Sequence, residues 1–217
     1  MLRIKIGGAL AVCVVLLLGA CGGPDAQDTA RAAPDPADGA VPWPRPLQTA
    51  QLAEAAGSEL ETVEHLDYHV HAHLDVFVNG QPVEVPAAIG IVIDDPAVKE
   101  FPTESGTDYG GIDPKEGCEN PCISPLHTHS ADGVLHTESA ITSPNTLGQF
   151  FTEWDVALDA ECVGGYCAPE ATIEVFIDGE PYEGNPADIE LVDEREIAIV
   201  VGSPPAEVPS EFDFSGV

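Results

Sequence analysis

Six of the seven histidines in this 217-residue chain stand in two short stretches. The first is His69-Val70-His71-Ala72-His73-Leu74-Asp75-Val76-Phe77-Val78; the second is Leu126-His127-Thr128-His129, followed by His136 and Glu138. A neutral imidazole carries one lone pair, and clustered imidazoles are the commonest way a protein holds a zinc or copper ion near neutral pH. Asp75 and Glu138 add carboxylates that can ligate or can orient imidazoles from behind. His69, His71, His73, His127, His129 and His136 are therefore the candidate metal ligands. Zinc or copper(II) suits a nitrogen-rich set. Met1 is the only methionine, which disfavours a methionine-rich copper(I) carrier.

These residues need strands to position them. In the first stretch histidines alternate with small and apolar residues, and successive side chains of a strand point to opposite faces. His69, His71, His73 and Asp75 then share one face, and Val70, Ala72, Leu74, Val76 and Val78 face a core. Asn79-Gly80 is a strong hairpin signal after that strand. The second stretch reads as a hairpin turning at Ser130-Ala131-Asp132-Gly133. A turn centred on Ala131-Asp132 sets His127 opposite His136, about 5 Å apart, with His129 and Glu138 on the same face. A slip of one residue would break that pairing.

The remaining elements are expected as follows. Residues 47–56 read as a short helix stopped by Gly57. Residues 82–85 and 88–93 read as strand-like runs, and 94–121 as a long loop of functional type. Thr146-Leu147-Gly148-Gln149 is a capping box that opens a helix through Phe150, Phe151 and Trp154, an apolar stripe suited to core packing. Residues 171–179 read as a strand ending in an Asp-Gly turn, and 189–191 and 197–201 complete the sheet. Val76-Phe77-Val78-Asn79-Gly80 is echoed by Val175-Phe176-Ile177-Asp178-Gly179, as two hairpins with like turn chemistry. The expected fold is α+β: a mainly antiparallel β-sheet or small barrel with one or two short helices, its late portion somewhat β-grasp-like. Residues 48–204 are long enough to bury one core.

The ends have a different character. Arg3 and Lys5 precede an apolar run too short for a comfortable membrane span. That run closes on Leu18-Gly19-Ala20-Cys21, which resembles the lipobox of bacterial lipoproteins. The resemblance implies a signal peptide over 1–20 and a lipid on Cys21. The protein would then be anchored to the cell membrane on its extracytoplasmic side, with the membrane as a partner. Residues 21–47 read as a Pro-, Ala- and Asp-rich tether, and 205–217 as an acidic tail. Losing residues 1–20 removes two of seven basic residues and none of the 38 acidic ones, which moves the formal charge from −31 to −33. Such a surface repels nucleic acid and anionic lipid headgroups.

Cys118, Cys122, Cys162 and Cys167 lie beyond the anchor. An even count in an exported domain suggests disulfides. Three connectivities are open, and the local pairs 118–122 and 162–167 are favoured because each closes a small loop.

H-x-H with a distant histidine is similar to the ligand set of zinc carbonic anhydrases, and with a later glutamate to that of cupins. Neither likeness extends past the ligands. The longer pattern H-x-H-x-H-L, C-x3-L-H-T-H, G-x-x-H-x-E-S and T-L-G-Q-F-F-x-x-W, from His69 to Trp154, resembles a group of secreted proteins from bacteria and archaea. That resemblance implies no activity, but it marks Cys122 as a possible ligand at the expense of one disulfide.

Three functions fit: a non-catalytic protein that captures or hands over zinc or copper, a metal-dependent enzyme with a three-histidine site and Glu138 as its acid or base, and a metal-free module whose histidines respond to pH. They are favoured in that order, and whether the protein is an enzyme stays open.

Overall fold

A computed structural model describes residues 43–103 and 106–217. The lipobox, Cys21 and tether residues 21–42 lie outside them. Among the described residues no helix is long and apolar enough to cross a membrane.

The chain forms helix α1 (Thr49–Ala56), then strands β1 (Tyr68–Val78), β2 (Gln81–Val83), β3 (Lys99–Pro102), β4 (Thr107–Gly110), β5 (Leu126–His127) and β6 (Val134–Ser139). Helix α2 (Leu147–Glu153) follows, then β7 (Cys162–Val163), β8 (Tyr166–Cys167), β9 (Ile173–Ile177), β10 (Glu180–Pro181) and β11 (Arg195–Val201). The fold is α+β, with short helices and mostly antiparallel pairing. The main sheet runs β10-β9-β11-β1-β6-β5, and β2 also pairs β1. β3–β4 and β7–β8 are separate two-stranded ribbons.

β1 is the axis of the sheet. Its early half pairs antiparallel with β6, its end pairs with β2, and its other edge runs parallel to β11. The parallel pair in this mainly antiparallel sheet has a physical reason. Ile197-Ala198-Ile199-Val200-Val201 is apolar on both faces, and every one of these residues is buried. Such a strand belongs in the middle of a sheet.

The expected alternation holds along β1. Ala72, Leu74, Val76 and Val78 enter the main core with Ile197, Ile199 and Val201 of β11. Helix α2 covers this face with Leu147, Phe150, Phe151 and Trp154, each fully buried. The Thr146 capping box starts it: the Gln149 N–H donates to Thr146 Oγ1, and the Thr146 N–H donates to Gln149 Oε1. Gly57 ends α1 in the left-handed region. The two echoed hairpins turn alike, with φ of 51° and 78° at Asn79-Gly80 and 52° and 80° at Asp178-Gly179. Positive φ at both central residues is the type I′ requirement.

Four expectations change. Residues 88–93 are not a strand: Ala88 and Gly90 have positive φ, and the segment turns beneath Leu126 and His127. A Cβ on Gly90 would collide with the Leu126 carbonyl, so glycine is required there. The loop 94–121 contains the β3–β4 ribbon. Residues 189–191 contribute a single bridge, Thr146 to Glu190, and no strand. Sequence reading began the folded part at residue 48 and ended it at 204, but ordered packing continues on both sides. Trp43 is 8 % exposed, stands edge-on to Trp154 at 5.8 Å, and its carbonyl accepts the Trp154 indole N–H at 3.0 Å. Phe212 stacks on His73 with ring centres 3.9 Å apart. Both local cysteine pairs, 118–122 and 162–167, are at disulfide distance.

Candidate metal centre

Three strands bring the histidines together. His127 on β5 lies opposite His136 on β6, as the hairpin register predicts. His136 in turn lies opposite His71 on β1, and His69 lies opposite Glu138. One row of imidazoles, His71–His136–His127, therefore crosses three neighbouring strands. Rings of His71 and His136 are 4.5 Å apart, those of His129 and His136 4.4 Å, and those of His127 and His136 5.4 Å.

Two overlapping groups have ligand atoms all within 4.8 Å of one another: His69, His71, His136 and Glu138, and His127, His129, His136 and Glu138. The second is the deeper. His127 is 1 % exposed, Glu138 5 % and His136 8 %. Glu138 Oε1 lies 3.1 Å from His69 Nε2 and 3.3 Å from His136 Nδ1.

The backbone decides which nitrogens are free. His127 Nδ1 is 2.8 Å from the Ser124 carbonyl, and His129 Nδ1 is 2.5 Å from the Tyr109 carbonyl. A carbonyl only accepts, so each Nδ1 carries the proton and each Nε2 carries the lone pair. Those two Nε2 atoms are 3.1 Å apart. Two lone pairs facing at that distance repel unless a cation lies between them. Ligand nitrogens of a tetrahedral zinc at 2.0–2.1 Å lie about 3.3 Å apart. The arrangement suits an ion and does not suit two neutral imidazoles alone. His71 Nε2, His136 Nδ1 and Glu138 Oε2 are likewise buried without a hydrogen-bond partner. Buried polar atoms rarely go unpaired.

Electrostatics keeps the lone pairs available. Burial, then the neighbouring imidazoles, push His136 down to about 2. Burial and His129 hold His127 well below the ordinary histidine value, and burial with His69 lowers His71. Protonating several rings here would crowd like charges in a dry site. A metal ion satisfies the same nitrogens with one centre of charge.

Sequence reasoning missed three supporting residues. Glu64 lies in the segment leading to β1; burial raises its carboxyl against the pull of His129, and its Oε1 is buried and unpaired. Ser124 holds His127 through its carbonyl, and its hydroxyl donates to Glu153 Oε1 at 2.7 Å. Glu153, the last residue of α2, is 1 % exposed, and burial raises it to about 8, so it stands protonated at neutral pH. Nothing local in the sequence marks these three. Gly110 has a visible function: a Cβ there would strike the His129 ring.

His73 is not part of this centre. Val134, not a histidine, lies opposite it on β6, and Glu196 lies beside it on β11. Its Nδ1 meets Glu196 Oε2 at 2.7 Å and its Nε2 meets the Asp132 carbonyl at 2.8 Å. Burial opposes a charge on this ring, but Glu196 prevails and the pKa is raised. Burial raises Glu196 as well; the geometry favours the charged imidazole, because both ring nitrogens face oxygen acceptors. Asp75 joins His73 and Glu196 in a third group of possible ligands. To ligate there through Nδ1, His73 would have to give up its contact with Glu196 Oε2 and lose the Nδ1 proton, while Nε2–H could keep the Asp132 carbonyl. Cys122 offers no thiolate, since its sulfur is paired with Cys118.

The described residues thus hold histidine and glutamate groups that can bind a metal ion, built on β1, β5 and β6. No protein-family model, curated protein or solved structure matches the chain.

Proposed function

We propose that this protein is an extracytoplasmic lipoprotein, anchored through Cys21, that binds zinc or copper at His127, His129 and His136 with Glu138 beside them. One observation carries the reading: the His127 and His129 Nε2 lone pairs face each other at 3.1 Å while both Nδ1 protons are committed to carbonyls. The Ser124 and Tyr109 carbonyls preset His127 and His129, so little ordering is required on binding. Capture or delivery of the ion needs nothing further from the fold.

A second reading, a metal-dependent enzyme, draws on Glu64. A half-buried carboxyl beside His129 with one buried, unpaired oxygen is the type of group that takes a proton from a metal-activated water.

The test is metal analysis of protein purified without an affinity tag, together with melting curves in zinc or copper(II). Bound metal and a melting temperature that rises with the ion support both readings. No bound metal and no shift with either ion overturn them, and leave the pH-responsive module.

A further inference from the structure

We infer that the centre is built for two ions, the second held by His69 and His71, with Glu138 as the carboxylate bridge between them. This rests on the metal-binding reading above and extends it from one ion to a pair.

The span of the histidine row is the first reason. His71, His136 and His127 come from three adjacent strands. Neighbouring strands are about 4.8 Å apart, so the row is roughly 10 Å from end to end at the backbone. Ligand atoms around one ion at 2.0–2.1 Å lie no more than about 4.2 Å from each other. The ligand atoms divide accordingly: the His69–His71 pair and the His127–His129 pair fall in different groups, and His136 and Glu138 belong to both.

Unpaired atoms are the second reason. An ion at His127 and His129 leaves His71 Nε2 buried with no partner, which is a costly way to leave a polar atom. An ion beside His71 and His69 satisfies it. The carboxylate of Glu138 is placed for both ions. Its Oε1 lies 3.1 Å from His69 Nε2, and its Oε2 is buried and unpaired. His136 stands between the His71 and His129 rings and can serve either ion. Carboxylate-bridged pairs of this type hold their ions about 3.5–4 Å apart. The net charge of −31 on the chain offsets the added positive charge.

The two positions differ in access. His69 is exposed, whereas His127 is 1 % exposed. The outer ion is therefore the exchangeable one and the inner ion the retained one.

Protein without a tag is loaded with zinc, desalted and analysed for zinc per chain. Two per chain are expected in the wild type and one in the His69→Ala/His71→Ala double variant. One per chain in the wild type, unchanged in that variant, overturns the second ion and leaves the single-ion reading intact. None overturns both. Copper(II) loading gives an independent readout that needs no variant. Two bridged copper ions give a spin-coupled EPR spectrum with a half-field line, and Glu138→Gln removes the coupling. Two magnetically isolated copper signals in the wild type overturn the bridge.

Discussion

His71 and His73 leave β1 on the same face, two residues apart, and have opposite chemistry. His71 has a buried ring nitrogen with no partner, whereas both nitrogens of His73 are satisfied. The strand itself does not distinguish them; its neighbours do. β6 places His136 opposite His71 but Val134 opposite His73, and β11 places Glu196 beside His73. A histidine ringed by other histidines is held neutral and offers a lone pair. A histidine ringed by oxygen acceptors is favoured in its charged form as a partner of the carboxylate, here capped by Phe212. Imidazole count is thus a poor measure of ligand count, and what lies across the sheet is the better one.

The sharpest way to break this comparison is to truncate one histidine on each side. His127→Ala should weaken zinc binding by at least about a hundredfold, since it removes one ligand and leaves His129 Nε2 without its counterpart. His73→Ala should leave zinc affinity nearly unchanged while lowering the melting temperature. Chelator competition measures the first and a thermal scan the second. Equal losses of affinity would mean that His73 is a ligand and that the distinction is wrong.

Buried carboxyls act on stability rather than on metal affinity. Glu153, behind His127, is raised to about 8, from 4.5 in the unfolded chain. Between those values the folded state keeps a proton that the unfolded state has lost, so stability falls as pH rises from about 4.5 to 8 and levels off above. The loss is on the order of 4–5 kcal/mol for this group. Glu153→Gln should flatten the profile over that range in urea titrations. An unchanged slope would refute a protonated Glu153. The His73–Glu196 pair acts over a different window. The raised imidazole contributes its full stability below about 6.5 and loses it as pH climbs through the folded value. His73→Gln should remove that later fall and leave the Glu153 portion in place.

Gly110→Ala tests the preset geometry of His129 without touching a ligand. The added methyl group meets the ring, and φ of 141° at this position strains any residue with a Cβ, so zinc affinity should fall about tenfold, a loss of ~1.4 kcal/mol, and the metal-free protein should melt lower than wild type. The smallest expected effect is Phe212→Ala, which removes the ring over His73. It should cost about 1 kcal/mol of stability and nothing in zinc binding. A drop in metal affinity there would tie the tail to the metal centre.

Local patterns carried much of the site. The turn at 130–133 puts His127 opposite His136 because a hairpin's register follows from where it turns, and the structure has that pair. Alternation in β1 placed its apolar residues in the core because the side-chain period of a strand is two. Capping at Thr146 and the Asn79-Gly80 turn are likewise contacts within four residues of sequence. Residues 88–93 failed as a strand because short apolar runs do not reveal whether the backbone pairs or merely packs. Glu64 and Glu153 were invisible because each acts through a contact made by the folded chain, with His129 65 positions away and Ser124 29 positions away, and Ser124 because it holds His127 through a backbone carbonyl, which every residue type has.

The sequence by itself determined the candidate ligands and the two stretches that hold them, and periodicity and turn chemistry determined the His127–His136 pairing and the mixed α+β class. Only the tertiary structure decided which histidines meet. The β1–β6 pairing joins residues 61 to 71 positions apart, and the β1–β11 pairing joins residues more than 120 apart. Nothing in a local pattern encodes such partners; the core on the opposite face selects them, by the way Leu74 and Ile197 pack under α2. The same burial that set the register turned His71 toward the candidate metal centre and gave His73 to Glu196.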